Sequence, residues 1–298
     1  MKHLRIDERN ASALSHLFSA RIFRDFGKQG KSALFSRLIQ QAHIAELLPH
    51  TYTVGKVFDV AFDQLSRSPF RDDYVYRSAL TQKILLGRHS LNTATLLSEF
   101  RAGSSKADVV VLNGTSTAYE IKSERDSLNR LTSQLANYRQ VFATVYVVTS
   151  RTHLSEVLNA APADVGVITL SDRFRLQTER EALTRPERTI PTMILETLRT
   201  TEASEVLTRL GHAVPDVPNT RRRTELSLLF AQLDATSAHG EAVKVLKQTR
   251  SQASLANFVR SVPGSVRAIS LAINPNARSQ THILEAFDTP LVDALGWR

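Results

Sequence analysis

The segment that most restricts the fold is a β-branched run closed by a tight-turn signal. Asp108-Val109-Val110-Val111-Leu112 has the branched, apolar character of a buried strand. Asn113-Gly114 follows, the strongest short-range hairpin signal, and Thr117-Ala118-Tyr119-Glu120-Ile121-Lys122 reads as the return strand. Leu128, Leu131, Leu135, Tyr138 and Phe142 then form an amphipathic stripe, with Asp126-Ser127 placed to cap its helix. Val145-Tyr146-Val147-Val148 is a buried strand. A short helix over His153 to Leu158 leads to a further strand, Val165 to Leu170. The order hairpin, helix, strand, helix, strand is α/β organisation with a crossover helix.

The flanks read as helical. Leu34, Leu38, Ile44, Leu47 and Leu48 have broadly helical spacing up to Pro49. Val57, Val60, Ala61 and Leu65 make a second stripe ending before Pro69, and Tyr76 to Leu86 a third. After about Ser171 the chain turns helical again, through Thr192–Leu198, Ser204–Leu210, Glu225–Leu233, Glu241–Val259 and Thr281–Leu295. His212 to Thr224, with Pro215, Pro218 and Arg221-Arg222-Arg223, is the best linker candidate. The expected organisation is a helical extension over 1–70, an α/β core over 71–175 and a helical region over 176–298.

Composition narrows the chemistry by exclusion. The chain of 298 residues has no cysteine, which removes disulfides, zinc–thiolate sites, iron–sulfur clusters and thiol catalysis. No two histidines stand at i, i+3 or i, i+4, and no Gly-x-Ser-x-Gly occurs. Gly27-Lys28-Gln29-Gly30-Lys31-Ser32 lacks the earlier glycine and leading strand of a P-loop, and reads as a loop capping the next helix. No apolar run reaches the ~20 residues of a membrane span, and the amino terminus has no secretory h-region, so a cytoplasmic protein with no membrane partner is expected. A formal net charge of +9 favours a polyanionic partner such as nucleic acid. Oligomeric state is left open.

One constellation suits phosphodiester hydrolysis, which needs a hard cation, an activated water and charge stabilisation. Asp108 opens one strand. Glu120 and Lys122, two apart on the next, share a sheet face. No other Asp or Glu in the chain has a Lys two positions later. Glu99 can supply a third carboxylate, and Gln134 and Tyr138 lie side by side at i, i+4. Arg101, Lys106, Arg125 and Arg130 flank these residues and are candidates for a basic, nucleic-acid-binding rim.

The runs Glu99-Phe100-Arg101-Ala102-Gly103-Ser104-Ser105-Lys106-Ala107-Asp108 and Tyr119-Glu120-Ile121-Lys122-Ser123-Glu124, with Gln134 and Tyr138, resemble the PD-(D/E)XK nuclease superfamily. The resemblance is closest to a largely uncharacterised bacterial and phage-associated group, and covers about Tyr74 to Thr149. It implies a restriction-endonuclease-like mixed sheet flanked by helices, Mg²⁺ or Mn²⁺, and metal-dependent hydrolysis of nucleic acid, DNA foremost, in phage defence or a phage-borne role. By the family pattern Asp108 and Glu120 resemble metal ligands, Lys122 the catalytic lysine and Glu99 the early acidic residue. Gln134 and Tyr138 resemble a Gln-x-x-x-Tyr element near the site. Ala107 stands where the family's name-giving proline would be. The rival expectation is the same fold without catalysis, binding nucleic acid or a protein.

Hairpin parity separates these expectations. A two-residue Asn113-Gly114 turn pairs Leu112 with Thr115 and sets Asp108 opposite Tyr119, splitting the carboxylates between faces. A three-residue loop pairs Leu112 with Ser116 and sets Asp108 opposite Glu120. Asn-Gly supplies the dihedrals of either turn. A metal site requires the odd loop, or a bulge between Asp108 and Glu120.

Overall fold

The computed structural model describes residues 8–43, 45, 48–49, 51–67 and 71–298. Met1 to Asp7, Ile44, Leu47 and Pro69, used in the sequence reading, lie outside the described residues. The chain is mixed α/β, with a six-stranded sheet flanked by helices and helical regions at both ends. In chain order the helices are α1 (Glu8–Leu17), α2 (Ala20–Gln29), α3 (Ala33–Gln41), α4 (Val54–Leu65) and α5 (Asp73–Leu80). After the first strands come α6 (Leu131–Arg139), α7 (Leu154–Ala160), α8 (Pro191–Leu195), α9 (Thr200–Arg209), α10 (Asn219–Phe230) and α11 (Ala235–Thr249). The last are α12 (Ala256–Ser261), α13 (Arg267–Ile273), α14 (Ala277–Asp288) and α15 (Leu291–Ala294). None among the described residues is long and apolar enough to cross a membrane.

The chain packs as two compact units, Met1–Arg88 with Asp172–Arg175 and Gln252–Arg298, and His89–Ser171 with Leu176–Ser251. This grouping differs from three consecutive segments, because the C-terminal helices divide between the units. His212 to Thr224 lies inside the second unit. Its arginines are on α10, where Arg223 donates to the Leu195 carbonyl at 2.6 Å and the Leu198 carbonyl at 3.2 Å.

The first unit is held by aromatic rings. Phe23, Phe26 and Phe35 meet Phe58 of α4, with centroids 5.4, 6.3 and 5.6 Å away, and Phe287 of α14 lies 6.0 Å from both Phe23 and Phe26. Such edge and tilted pairs add about 0.5–1.5 kcal/mol each beyond the area they bury. Between α2 and α3, Gly30 adopts φ 69° and the Ser32 hydroxyl accepts the Phe35 N–H. Gly27 to Ser32 is therefore a helix stop and cap. α3 ends at Gln41, well before Pro49. The Tyr76 to Leu86 stripe is α5 continued by a π-turn over Thr81–Leu85.

In the second unit the strands run in spatial order β1 (Thr95–Ala102), β2 (Ser105–Leu112), β3 (Ser116–Lys122), β4 (Thr144–Thr149), β5 (Gly166–Leu170) and β6 (Leu176–Arg180). β1 to β3 form an antiparallel meander, β3 to β5 run parallel, and β6 returns antiparallel. α6 and α11 cover one face, burying Leu131, Leu135, Tyr138, Val243 and Leu246 against Val110, Leu112, Ala118 and Val145. Two strands depart from the sequence reading. β1 begins ahead of the expected hairpin. β6, in a stretch expected to be helical, is a polar edge strand, Leu-Gln-Thr-Glu-Arg, with no buried apolar alternation to betray it. Where β4 meets β5, Tyr146 lies directly across from Gly166.

α11 is fastened to the start of β3 by a buried polar contact. His239 Nε2 lies 2.8 Å from the Ser116 hydroxyl, which also accepts the Ala143 N–H at 3.1 Å. Desolvation pushes the imidazole down from 6.5 to about 4. Folding therefore favours neutral His239. Its contribution is fully present above about pH 6.5 and is lost as pH falls toward 4, where the unfolded chain takes up a proton that the fold refuses. The shift corresponds to roughly 3 kcal/mol. Urea titrations across this range should show wild type losing about that much more stability than His239→Gln; parallel curves would show that His239 is not the responsible group.

Candidate active site

The β2–β3 ladder pairs Leu112 with Ser116, Val111 with Thr117, Val110 with Ala118 and Val109 with Tyr119. The loop is Asn113-Gly114-Thr115, with Gly114 at φ 72° and the Asn113 N–H donating to the Thr115 carbonyl at 3.0 Å. This is the odd loop. Continued by one step, the register sets Asp108 opposite Glu120. There the ladder stops, and the Asp108 carboxylate accepts the Ile121 N–H at 2.7 Å.

The next residues on β3 close the site. Lys122 Nζ is 2.8 Å from Glu120 Oε1 and 3.0 Å from Gln134 Oε1 on α6. Glu120 and Lys122 are only 2% and 5% exposed, so their ion pair is desolvated. One helical turn beyond Gln134, the Tyr138 hydroxyl lies 2.7 Å from Glu120 Oε2 and 2.6 Å from the Lys106 carbonyl. Burial first, then the Glu120 carboxylate, pushes the Tyr138 phenol above its ordinary value, with Asp108 adding in the same direction. Tyr138 is thus held as a protonated donor, and Asp108 and Glu120 both act on this one ring. The i, i+4 pair on α6 reads both members of the Glu-x-Lys triplet.

Five predicted residues, Asp108, Glu120, Lys122, Gln134 and Tyr138, are brought together. Glu99 is on β1, exposed, at φ 53°, and lies across from Asp108 in the β1–β2 register. Among the described residues no three Asp, Glu, His or Cys side chains group as a metal site. Glu99 therefore does not complete a triad with the carboxylate pair. Asp126 does not cap the helix. It accepts the Ser123 N–H at 2.8 Å and the Ser123 hydroxyl at 2.7 Å, and α6 starts only at Leu131 with Arg130 at its N-cap. Asn137, not foreseen, donates to the Ser104 and Ser105 hydroxyls at 3.1 and 2.8 Å and ties the β1–β2 turn to α6. The small residues Gly103-Ser104-Ser105 were its signal. Two carboxylates are the oxygen-donor type that a hard cation takes.

Arg101, Lys106, Arg125 and Arg130 are all exposed. Arg101 and Lys106 are cross-strand partners, an arrangement that like charges disfavour without a counter-charge. For each that contacts a phosphate, neutralisation to Gln should lower the salt-dependence slope of DNA binding by about one unit at every sequence. Four unchanged slopes would dispose of the rim.

The fold and this buried carboxylate–lysine centre define a mixed α/β protein with one polar cluster at the end of a hairpin. The family model described as bacteriophage P4 protein cII matches residues 66–273, and the chain belongs to that family. Protein cII of Enterobacteria phage P4 is 39% identical over 80 residues, spanning 26% of this chain and 30% of that protein's length. Among solved structures, the SPO1766 protein of unknown function from Silicibacter pomeroyi aligns with 41% of this chain and 86% of its own, at 19% identity and a TM-score of 0.28.

Proposed function

We propose that this chain is a metal-dependent nuclease of the PD-(D/E)XK type, hydrolysing phosphodiester bonds of DNA in the cytoplasm. The observation that carries the reading is the β2–β3 register, which sets Asp108 opposite Glu120 with Lys122 on the same face as Glu120. The meander, helix and parallel strand around it support the restriction-endonuclease-like comparison. Asp108 and Glu120 would hold Mg²⁺ or Mn²⁺, which when bound polarises a phosphoryl oxygen. Lys122 offsets charge developing on the phosphate. Gln134 fixes Lys122, and Tyr138 fixes the orientation of Glu120. The family's phage namesake supports a phage-borne role.

A specific observation favours the rival, a non-catalytic nucleic-acid binder: both Glu120 oxygens are already engaged and no three-member metal group forms among the described residues. Incubating plasmid, linear duplex and single-stranded DNA with Mg²⁺, Mn²⁺ or EDTA separates the two. A nuclease cuts only with metal. A binder retards DNA in all three conditions and cuts in none, which would falsify the proposed activity.

A further inference from the structure

Within the first unit, an open cleft of about 490 Å³ lies between α2 and the start of α14. Its lining includes Arg24, Lys28, Arg278, Asn274, Asn276 and Ser279, and no carboxylate. All three cations are exposed. Lys28 has an ordinary reason to be where it is, because the last turn of a helix favours positive charge. The others do not. Arg24 stands at i, i+4 to Lys28, a like-charge pair that disfavours the helix. Arg278 is in the first turn of α14, where the helix dipole repels a cation.

The cleft walls are fixed. A Cβ on Gly27 would fall 3.0 Å from Ser279 Cβ, so glycine there permits the close approach of α2 and α14. His282 Nδ1 lies 3.1 Å from the Gly27 carbonyl. The Asn276 side chain takes the Ser279 N–H at 3.0 Å, leaving the first-turn N–H groups of Ala277 and Arg278 outside the cap. Three like charges are thus held around one opening, in an arrangement that an anion would relieve.

We propose that this cleft binds phosphate groups of a nucleic-acid backbone. Arg24 and Lys28 are about 6 Å apart along the helix axis. Their positions follow one another along one helix face, as successive phosphates follow one another along a backbone. The proposal does not rest on the nuclease reading, and the cleft lies largely outside residues 66–273 of the family match.

The test is fluorescence anisotropy of the full chain with a short labelled duplex, in EDTA so that no cutting intervenes, over a salt series. The triple variant Arg24→Gln, Lys28→Gln, Arg278→Gln should bind more weakly, with the salt slope reduced by about two to three units, close to one per phosphate released. Lys56→Gln, an exposed cation of the same unit outside the cleft, should leave the slope unchanged. Should the triple variant not fold, Arg278→Gln alone should lose about one unit of slope while keeping its melting temperature. An unchanged slope in these cleft variants overturns the proposal. So does protection against heat by inorganic phosphate, lost in the triple variant, with duplex binding unaffected: the cleft would then serve free phosphate.

Discussion

Asp108→Asn is expected to abolish metal-dependent cutting while leaving the fold intact. Asn keeps the size of Asp and an oxygen to accept the Ile121 N–H, now 2.7 Å from the carboxylate. What it removes is one of the two negative charges that attract a hard cation. Lys122→Ala should also lower the cutting rate, by roughly 10²–10³-fold, the usual cost of removing one group that stabilises charge in the transition state. It carries a second effect, because it leaves Glu120, 2% exposed, without its ion-pair partner. Stranding a buried charge costs about 3–5 kcal/mol. The two variants therefore divide the question. If both lose cutting and Asp108→Asn melts as wild type, the loss belongs to the site. If Asp108→Asn still cuts at the wild-type rate, Asp108 has no part in the chemistry.

Gly166→Ala should be among the most damaging single changes in the second unit. A Cβ there would meet the Tyr146 ring at 2.2 Å and the Ala182 N at 2.8 Å. The ring has little freedom to retreat. It stacks on Tyr119 at 5.7 Å, and its hydroxyl donates to Glu181 at 2.8 Å. Overpacking of this kind costs about 1–3 kcal/mol, and the backbone contact places it at the upper end. Removing the ring makes room, so Tyr146→Ala combined with Gly166→Ala should be less destabilised than the two single costs added. Strict additivity in denaturant titrations would show that the two residues do not compete for space.

The centre of the sheet was legible because its chemistry is local. Asp108 to Leu112, Asn113-Gly114 and Thr117 to Lys122 state strand, turn and strand within a few residues, and parity then limits which loop can unite the carboxylates. The edges were not legible. β6 has exposed or half-buried polar side chains and takes its structure from pairing with β5, a property of the partner and not of Leu176 to Arg180. β1 was obscured by Glu99, whose positive φ interrupts the strand's alternation. The Asp126-Ser127 cap signal was real but was spent on a turn with Ser123. Gln134 and Tyr138 could be placed side by side from spacing alone, yet which atom each would meet required the tertiary fold.

The first unit is built from pieces that the ribosome delivers far apart. α1 to α5 emerge early, but Phe287, against which Phe23, Phe26 and Phe58 pack, and Trp297, 5.7 Å from Phe26, come only with residues 252–298. The sheet unit, by contrast, is nearly continuous, and all its strands and covering helices are made by Ser251. Synthesis from the amino terminus therefore completes the sheet unit first, while the early helices wait with an unfinished aromatic face. During that interval the helices are the natural clients of chaperones and the weak point for proteolysis. A nascent chain halted near Ser251 would carry a finished hairpin site beside an unfinished helical bundle.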